Sequence, residues 1–429
     1  MTSSNLKRAI ALGTSLGMIL PSAAFATNGM LLIGQSTKAR GMGGTAIASH
    51  HDAIASAANP AIMAHVGNQF NIGGDIFVPQ AEARLGSVTV ESKPDHLAIS
   101  DSVYFMPSMA AAWESGNISY GFSFVSVGGG GSRYDTNLYN AQLGRDTRPK
   151  LGVSLIIANL NPTIAMKLNE THTIGASLII GMQVFKSYGL TEFSQFTISR
   201  SNDYLTDNGA EMSYGAGIRL GWLGSYMNGN LTLGAEFTSK TYMSEFDKYK
   251  ELFAENGDID TPGNIGVGIN YKVNDKLAVA FDINYIMYEQ VASIGNIGPN
   301  TGGALFPVSP EVNELGRSEG LGFGWENQTV FKVGAEYKYS PKTTLRAGWN
   351  YGASPIDESR EIIFNIVAPA TTQHHLTMGA SYQYDKETEF SLSYVHAFEF
   401  EQYGPTYIGD TGEISMSQDS IGMSMIMQF

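Results

Sequence analysis

"SIGMSMIMQF", residues 420–429, ends the chain, and its alternation decides the fold. Ile421, Met423, Met425, Met427 and Phe429 share one face of an extended strand. Ser420, Gly422, Ser424 and Gln428 share the other, with Ile426 the one exception. Successive strand side chains point to opposite faces, so the segment presents one apolar and one polar surface. The same dyad recurs upstream. Leu231, Leu233, Ala235 and Phe237 alternate with Thr232, Gly234, Glu236 and Thr238. Ile265, Val267, Ile269 and Tyr271 alternate with Gly266, Gly268, Asn270 and Lys272. Across the turn Asn274-Asp275-Lys276 the apolar set is Leu277, Val279, Phe281, Ile283, Tyr285 and Met287, with Asp282 and Asn284 opposite. Val333, Ala335, Tyr337 and Tyr339, then Leu376, Met378, Ala380, Tyr382 and Tyr384, repeat the pattern.

A soluble sandwich has the same periodicity, but three features favour a membrane barrel. Turns alternate short and long, with "YKVNDKL", "YSPKTTL" and "YDKETEF" among the short ones. Tyrosines cluster at strand ends, where an interfacial girdle lies: Tyr271, Tyr285, Tyr288, Tyr337, Tyr339, Tyr382 and Tyr384. Finally, 49 glycines and 15% charged residues suit closely packed transmembrane strands better than a solvated surface. A last strand ending on an aromatic residue is similar to the terminal strand of bacterial outer-membrane barrels, and Phe429 is then the expected contact with the barrel assembly machinery. The reading is an all-β, antiparallel transmembrane barrel of roughly fourteen strands, an even number as in single-chain bacterial barrels. Strands are expected near 69–84, 103–113, 117–127, 154–168, 171–187, 211–223, 230–241, 264–273, 276–289, 327–339, 342–352, 374–385, 388–399 and 418–429. The long loops, 128–153, 188–210, 242–263, 290–326 and 353–373, face outward and the short turns face the periplasm.

The other end of the chain sets the compartment. Lys7 and Arg8 precede an apolar run from Ala9 to Leu20 and then Ala24-Phe25-Ala26. A basic start, a short apolar core and an A-x-A site read as a secretory signal peptide over 1–26. Its removal takes the net charge from −14 to −16, which excludes a nucleic-acid partner that needs a basic face. With no cysteine in the chain, there is neither a disulfide framework nor a thiolate metal site. No stretch after Thr27 approaches the ~20 apolar residues of a membrane helix, so a spanning structure has to be a barrel. The expected location is the outer membrane of a Gram-negative bacterium.

A fourteen-strand barrel leaks unless something fills it. Residues 27–67 contain no convincing strand and many small residues. A short helix is expected over 46–58, ended by Asn59 ahead of Pro60. Asn59 then caps a second turn, with Pro60 at its first position and Gly67 closing it. The organisation is therefore a signal peptide (1–26), a lumenal hatch (27–67) and the barrel (68–429).

"TKARGMGGTAIASHHDAIASAANPAIMA", residues 37–64, resembles the N-terminal hatch of the FadL family of outer-membrane transporters for hydrophobic compounds. A Gly-rich, Ala-rich stretch there leads into an Asn-Pro-Ala motif, here Asn59-Pro60-Ala61. "TPGNIGVGINYKVNDKLAVAFDINYIMYEQV" resembles the family's mid-barrel hairpin, and "WENQTVFKVGAEYKYSPKTTLRAGWNYGASPID" its Trp-led strand pair. The resemblance implies a monomeric plugged barrel that passes long-chain fatty acids or, alternatively, monoaromatic hydrocarbons by energy-independent diffusion. It places gating at Gly43, Gly44, Asn59, Pro60 and Ala61. It also implies a kinked third strand with a lateral opening. Gly121 and Gly128, Gly129, Gly130 and Gly131 are the candidates, although the four-glycine run also reads as a flexible outer loop. "FNIVAPATTQHHLTMGA" lacks the acidic-basic cluster of a close relative of the fatty acid transporter, which leaves the cargo open between the two classes. Lys186, Arg219, Lys332 and Arg346 are the candidate partners for an anionic head. Lipid, lipopolysaccharide and the hydrophobic solute are the partners so implied.

Other constellations carry less. His50-His51-Asp52 is a poor metal site, because adjacent helical residues point about 100° apart; a solvated hatch surface is expected, and the same for His374-His375. Neither glycine group sits in a βαβ phosphate loop, and no nucleophile elbow appears. No cofactor is expected. A barrel enzyme is the rival from another class, with no Ser joined to a base; a general porin or an adhesin is argued against by the hatch. Tyr242, Phe246, Tyr249 and Phe253 recur at helical spacing in one long loop. They read either as a landing groove for substrate, built with loop 188–210, or as packing onto neighbouring loops.

Overall fold

The computed structural model describes residues 27–92, 104–298, 314–357, 362–405 and 411–429. The signal-peptide reading of residues 1–26 lies outside them. Fourteen long strands form the wall: β1 (Gln69–Leu85), β2 (Tyr104–Ser115), β3 (Ile118–Tyr134), β4 (Leu151–Lys167), β5 (His172–Tyr188), β6 (Glu211–Tyr226) and β7 (Leu231–Thr238). The second half is β8 (Asn264–Lys272), β9 (Leu277–Ile286), β10 (Gln328–Lys338), β11 (Thr343–Gly352), β12 (His374–Gln383), β13 (Thr388–Pro405) and β14 (Thr411–Gln428). Each pairs antiparallel with the next, and β14 pairs back onto β1, so the sheet closes.

Strand count and direction follow the alternation, but three strands are longer than the sequence suggests. β3 does not stop at Val127; it runs through Gly128–Gly131 to Tyr134, so the glycine run is wall and not loop. β13 continues to Pro405, and β14 begins at Thr411 and not near 418. Glycine is depleted in strands because it offers no side chain to pack, which is why the run read as a loop.

The apolar dyad faces the membrane. Ile265, Val267, Ile269, Val333, Met378, Leu392, Ile421 and Met423 are all exposed. Tyr271, Tyr285, Tyr337, Tyr339, Tyr382 and Tyr384 are exposed at the strand ends. Tyr288 does not belong to this girdle: it is fully buried and turns inward. Side chains that substitute for backbone hold the short turns. Asn274 Oδ1 accepts from the amides of Lys276 (2.9 Å) and Leu277 (3.0 Å), and Asp385 Oδ1 from Glu387 (2.9 Å) and Thr388 (2.8 Å).

Residues 27–67 lie inside the wall. Ser36, Asp52 and Asn59 cap three short helical pieces, Thr37–Arg40, Ala53–Ala57 and Pro60–His65. Asn59 accepts from the Ala61 amide (3.0 Å) with Pro60 at the first position, and Gly67 follows at φ +71°. The expected helix over 46–58 forms only from Ala53. The Asp282 carboxylate accepts from the amides of Ala46 (2.7 Å) and Ile47 (3.0 Å), and Asn59 Nδ2 donates to the Ile47 carbonyl (2.7 Å), so this backbone bonds outward and not along a helix.

Inward glycines let this segment touch the wall backbone to backbone. A Cβ on Gly348 would overlap the Gly43 amide and lie 2.8 Å from its Cα. One on Gly334 would sit 2.5 Å from the Met42 carbonyl, and one on Gly268 2.8 Å from the Ile47 Cβ. Gly334 faces Gly348, and Gly234 faces Gly268, so the seats are paired across neighbouring strands. Arg40 and Asp75 add a buried ion pair, and Lys38 Nζ reaches Glu389 at 2.6 Å.

The interior has two storeys. Toward the long loops it is packed with Tyr134, Leu138, Leu151, Val153, Phe185, Leu190, Phe246, Phe253, Ile363 and Phe364. Around and below the segment, the inward wall is polar: Asn71, Ser123, Asn161, Ser177, Asp282, Asn350, Thr377 and Ser393 are all buried.

Candidate functional site

The wall is interrupted at the boundary between the storeys. Among the described residues the β2–β3 ladder runs from Ser115/Ile118 to Ser108/Val125 and stops there. Above it, Tyr104 and Pro107 have ladder partners on β1, while β3 pairs with β4. Pro107 has no N–H to continue the ladder. At the same height the β3–β4 register shifts: Ser126 faces Ala158, Gly128 faces Ile157, and Val127 is the extra residue of a bulge. Gly129 and Gly131 follow at φ +149° and +141°, conformations that suit glycine. A shallow apolar belt runs along the wall from β11 through the seam to β6, and Phe105, Pro107, Met109 and Phe124 form the part of it beside this place.

On the lumenal side, residues 27–35 form an arm across the bulge. The Gly129 amide donates to the Met30 carbonyl (2.9 Å), and Leu31 pairs with Gly128. The Tyr288 hydroxyl accepts from the Met30 amide (3.1 Å) and donates to the Asn28 carbonyl. The Thr27 amide donates to Gln418 Oε1 (3.1 Å), and Lys332 Nζ to the Ile33 carbonyl (3.0 Å).

Beside the arm lies a polar chamber of about 80 Å³, lined by Asn28, Leu31, Val127, Asn159, Arg219, Glu236, Asp282, Asn284, Ile286 and Lys332 among others. Arg219 Nε donates to Thr238 Oγ1 (2.8 Å), which donates to Glu236 Oε2 (3.0 Å); Asn284 Nδ2 donates to Glu236 Oε1 (3.3 Å). This arrangement holds no assembled nucleophile or metal cluster among the described residues. What it can do is separate an apolar space from a polar one at a break in the wall.

A family model described as outer membrane protein transport protein (OMPP1/FadL/TodX) matches residues 15–403. The chain belongs to this family. It is an outer-membrane β-barrel of the Gram-negative type. The FadL/TodX fold is shared with the Pseudomonas putida toluene transporter TodX at 18% identity and TM-score 0.68, covering 92% of this chain and 99% of that one. The same holds for a Pseudomonas aeruginosa FadL homologue (15%, TM-score 0.66, 94% and 100%) and the Ralstonia pickettii toluene transporter TbuX (18%, TM-score 0.65, 92% and 98%). No curated protein matches the sequence.

In this FadL/TodX barrel the candidate residues divide clearly. Gly43 (φ +68°) and Gly44 (φ +83°) have backbone that a side chain would strain, and a Cβ on Gly43 would lie 2.6 Å from the Trp349 carbonyl. Asn59 Nδ2 also reaches the Trp222 (3.2 Å) and Ala235 (3.4 Å) carbonyls, tying the Asn59-Pro60-Ala61 motif to β6 and β7. Gly128 to Gly131 sit at the break, but Gly121 does not: it is in regular register with Ala112 and Thr163, below the bulge. Of the four candidate cations, Arg219 and Lys332 meet in the chamber. Lys186 lies over the Tyr188 ring (4.5 Å) near the outer end of β5, and Arg346 is taken by Glu336 (2.8 Å) and Ser381 (2.6 Å).

The aromatic loop is not an open groove. Phe246, Tyr249 and Phe253 are buried around Phe185, with ring centroids 5.7, 4.8 and 4.6 Å away; Tyr242 alone is exposed. Nor is the loop one helix: it comprises a two-residue strand, a 3₁₀ turn (Asp247–Tyr249) and one further turn (Ala254–Gly257). Each histidine pair is split. His50 is exposed and stacks on His65 at 4.4 Å, and His374 is exposed, as expected. In contrast, His51 is half-buried with Nε2 at 2.9 Å from the Thr45 carbonyl, Asp52 is a buried cap and His375 is buried. Glu236, Asp282, Asn159 and Asn28 were missed as site residues. Asp282 carried a signal in the sequence: a carboxylate amid the apolar alternation of "AVAFDINYI" has to face something that satisfies it.

Proposed function

We propose that this protein is a passive outer-membrane channel for hydrophobic compounds, with long-chain fatty acids and monoaromatic hydrocarbons as the two cargo classes. Residues 27–67 act as its hatch, the arm at 27–35 as the movable part, and the break between β2 and β3 as a lateral exit. The observation that carries the reading is a coincidence of height. On the wall, the buried apolar cluster is built mainly of large side chains above Val125, where the β2–β3 ladder of the described residues ends, and of alanines alone (Ala110, Ala112, Ala165) below it. A lipophile descending from the loops would next enter a polar lumen, at a cost of about 25 cal/mol for each Å² of apolar surface exposed to water there. Leaving sideways past Val127 keeps that surface in an apolar environment, since the belt outside the wall there is formed by Phe105, Met109 and Phe124.

Removing Val127 tests this. Ser126 and Gly128 already face consecutive residues of β4, so the deletion leaves a regular ladder. Uptake of labelled palmitate and toluene by cells carrying the variant should fall to background while ligand still co-purifies with the folded barrel. Normal uptake by the variant overturns lateral exit. Failure of the unaltered protein to pass either compound overturns the channel reading itself.

A further inference from the structure

A cavity of about 20 Å³ lies in the apolar storey under the outer loops, and Phe185, Phe193, Phe253, Phe323, Phe364 and Val367 contribute to its lining. A cavity that takes a single benzene ring measures about 150 Å³. A lipophile that enters here therefore has to enlarge the space several-fold. Phe185 belongs to β5 and is held by the sheet, so the loop residues have to yield. Two of them, Phe364 and Val367, stand on one short turn, residues 362–367, whose first part is the helical piece Ile362–Asn365.

That turn has hydrogen-bonded holds in two directions. Toward β3, above the break, the Tyr134 hydroxyl donates to the Ile366 carbonyl (2.8 Å) and the Ser132 hydroxyl to the Val367 carbonyl (2.9 Å). Toward the arm, Asn365 Oδ1 accepts from the Trp325 indole N–H (2.6 Å), and Asn365 Nδ2 donates to the Phe323 carbonyl (2.8 Å). The Trp325 ring meets the Tyr288 ring edge to face at 5.2 Å. The Tyr288 hydroxyl is the post around which the arm turns. It bonds Asn28 and Met30 on either side of Gly29 (φ +61°), where a Cβ would lie 2.4 Å from the hydroxyl oxygen. The Met30 carbonyl in turn accepts from the Gly129 amide at the bulge. Asn365, Ile366 and Tyr288 are fully buried, and close packing leaves no slack in which a shift at one end could vanish.

We propose that the turn 362–367 couples the outer cavity to the break: filling the cavity displaces the turn, and the movement passes through Asn365, Trp325 and Tyr288 to the arm and through Ser132 and Tyr134 to β3. This inference rests on the channel reading above and names the regulation of its exit. One displacement then loosens both the wall above the break and the arm that crosses it. Asn365, Trp325 and Tyr288 do not line the cavity, so they act as positioning residues and not as contacts for cargo. The relay reads volume and not a head group, so a hydrocarbon and a fatty acid that fill the cavity alike release the arm alike.

The chain has no cysteine, so a single Met30→Cys, at a position 4% exposed, reports release of the arm by its reaction with a water-soluble maleimide. The purified full barrel carrying it is labelled with and without saturating toluene or palmitate, and retention of each radiolabelled compound is measured in parallel. Either compound should speed labelling about fivefold or more, the scale of one net hydrogen bond lost from the arm. With Asn365→Leu added, the compounds should still bind and the labelling rate should no longer respond to them. Trp325→Phe keeps a ring against Tyr288 and lacks the indole donor, and should do the same. Tyr288→Phe should label fast with or without cargo. Compounds that bind to the Met30→Cys barrel and leave its labelling unchanged overturn the coupling and spare the channel. A full response in both the Asn365→Leu and the Trp325→Phe barrels overturns this route to the arm. If neither toluene nor palmitate binds, the channel reading falls as well.

Discussion

Asp282 and Lys332 stand directly opposite each other on β9 and β10, and each turns inward to hold the backbone of the same lumenal segment. The Asp282 carboxylate accepts from the amides of Ala46 and Ile47, and the Lys332 ammonium donates to the Ile33 carbonyl. The wall thus grips two parts of the lumenal segment, Ile33 and Ala46–Ile47, from adjacent positions. Asp282→Leu would strand two buried amides, each worth about 1–3 kcal/mol, whereas Asp282→Asn keeps one acceptor. The leucine variant should become cleavable by trypsin at the buried Lys38 and Arg40 under conditions in which the asparagine variant resists. Equal resistance would show that the grip does not seat the hatch.

The glycine seats give a sharper prediction. Valine at Gly348 would drive its side chain into the Gly43 backbone, where nothing flexible can yield. Gly348→Val should leave an intact barrel with a displaced hatch, read as swelling of protein-containing liposomes in small sugars. On β3, Gly128→Ala meets the Met30 carbonyl, while a Cβ on Gly130 meets nothing within 4 Å. Alanine at 128 should therefore loosen the arm and raise leak or uptake, and alanine at 130 should behave as the unaltered protein.

Outside the membrane, burial and the neighbouring Asp260 push the Asp258 carboxyl up to about 7. A carboxyl that holds its proton more tightly folded than unfolded stabilises the fold most at low pH. That contribution declines as pH rises from about 4 to about 7, because the unfolded chain has by then given up its proton and the folded chain follows. Amide exchange in residues 244–263, corrected for its intrinsic pH dependence, should show less protection at pH 8 than at pH 5.5. Asp258→Asn should flatten that difference.

The buried aromatics under the loops predict a contrast within one segment. Phe253→Ala removes a ring packed against Phe185 and should destabilise the outer cap by about 3–5 kcal/mol. Tyr242 is 66% exposed, and Tyr242→Ala should be nearly neutral. Calorimetric unfolding of the two variants separates them.

The wall was readable because a membrane barrel writes its two faces into alternate residues; Ile265 to Tyr271 and Leu277 to Tyr285 were placed correctly on that ground alone. The seats were not readable, since Gly268, Gly334 and Gly348 look like weak strand positions until the backbone that fills their space is known. The chamber was half readable. Arg219 and Lys332 stand out as cations on a polar face, but their meeting depends on strand register across β6 to β10. The aromatic spacing of Tyr242 to Phe253 misled about the helix, because tertiary contacts around Phe185 overrode it, while the alternative reading of these rings as packing against their neighbours agrees with the structure.

The closing seam of the barrel is unbroken from Gly412/Leu85 to Gln428/Gln69, and only two strands away the β2–β3 ladder gives out at Ser108/Val125. Mechanically, the wall is a stiff hoop with one soft stave. On the lateral-exit reading proposed above, stress from a crowded or thinning bilayer should be relieved at that stave and not at the joint where the chain's two ends meet, and membrane tension should then set how readily the barrel opens sideways.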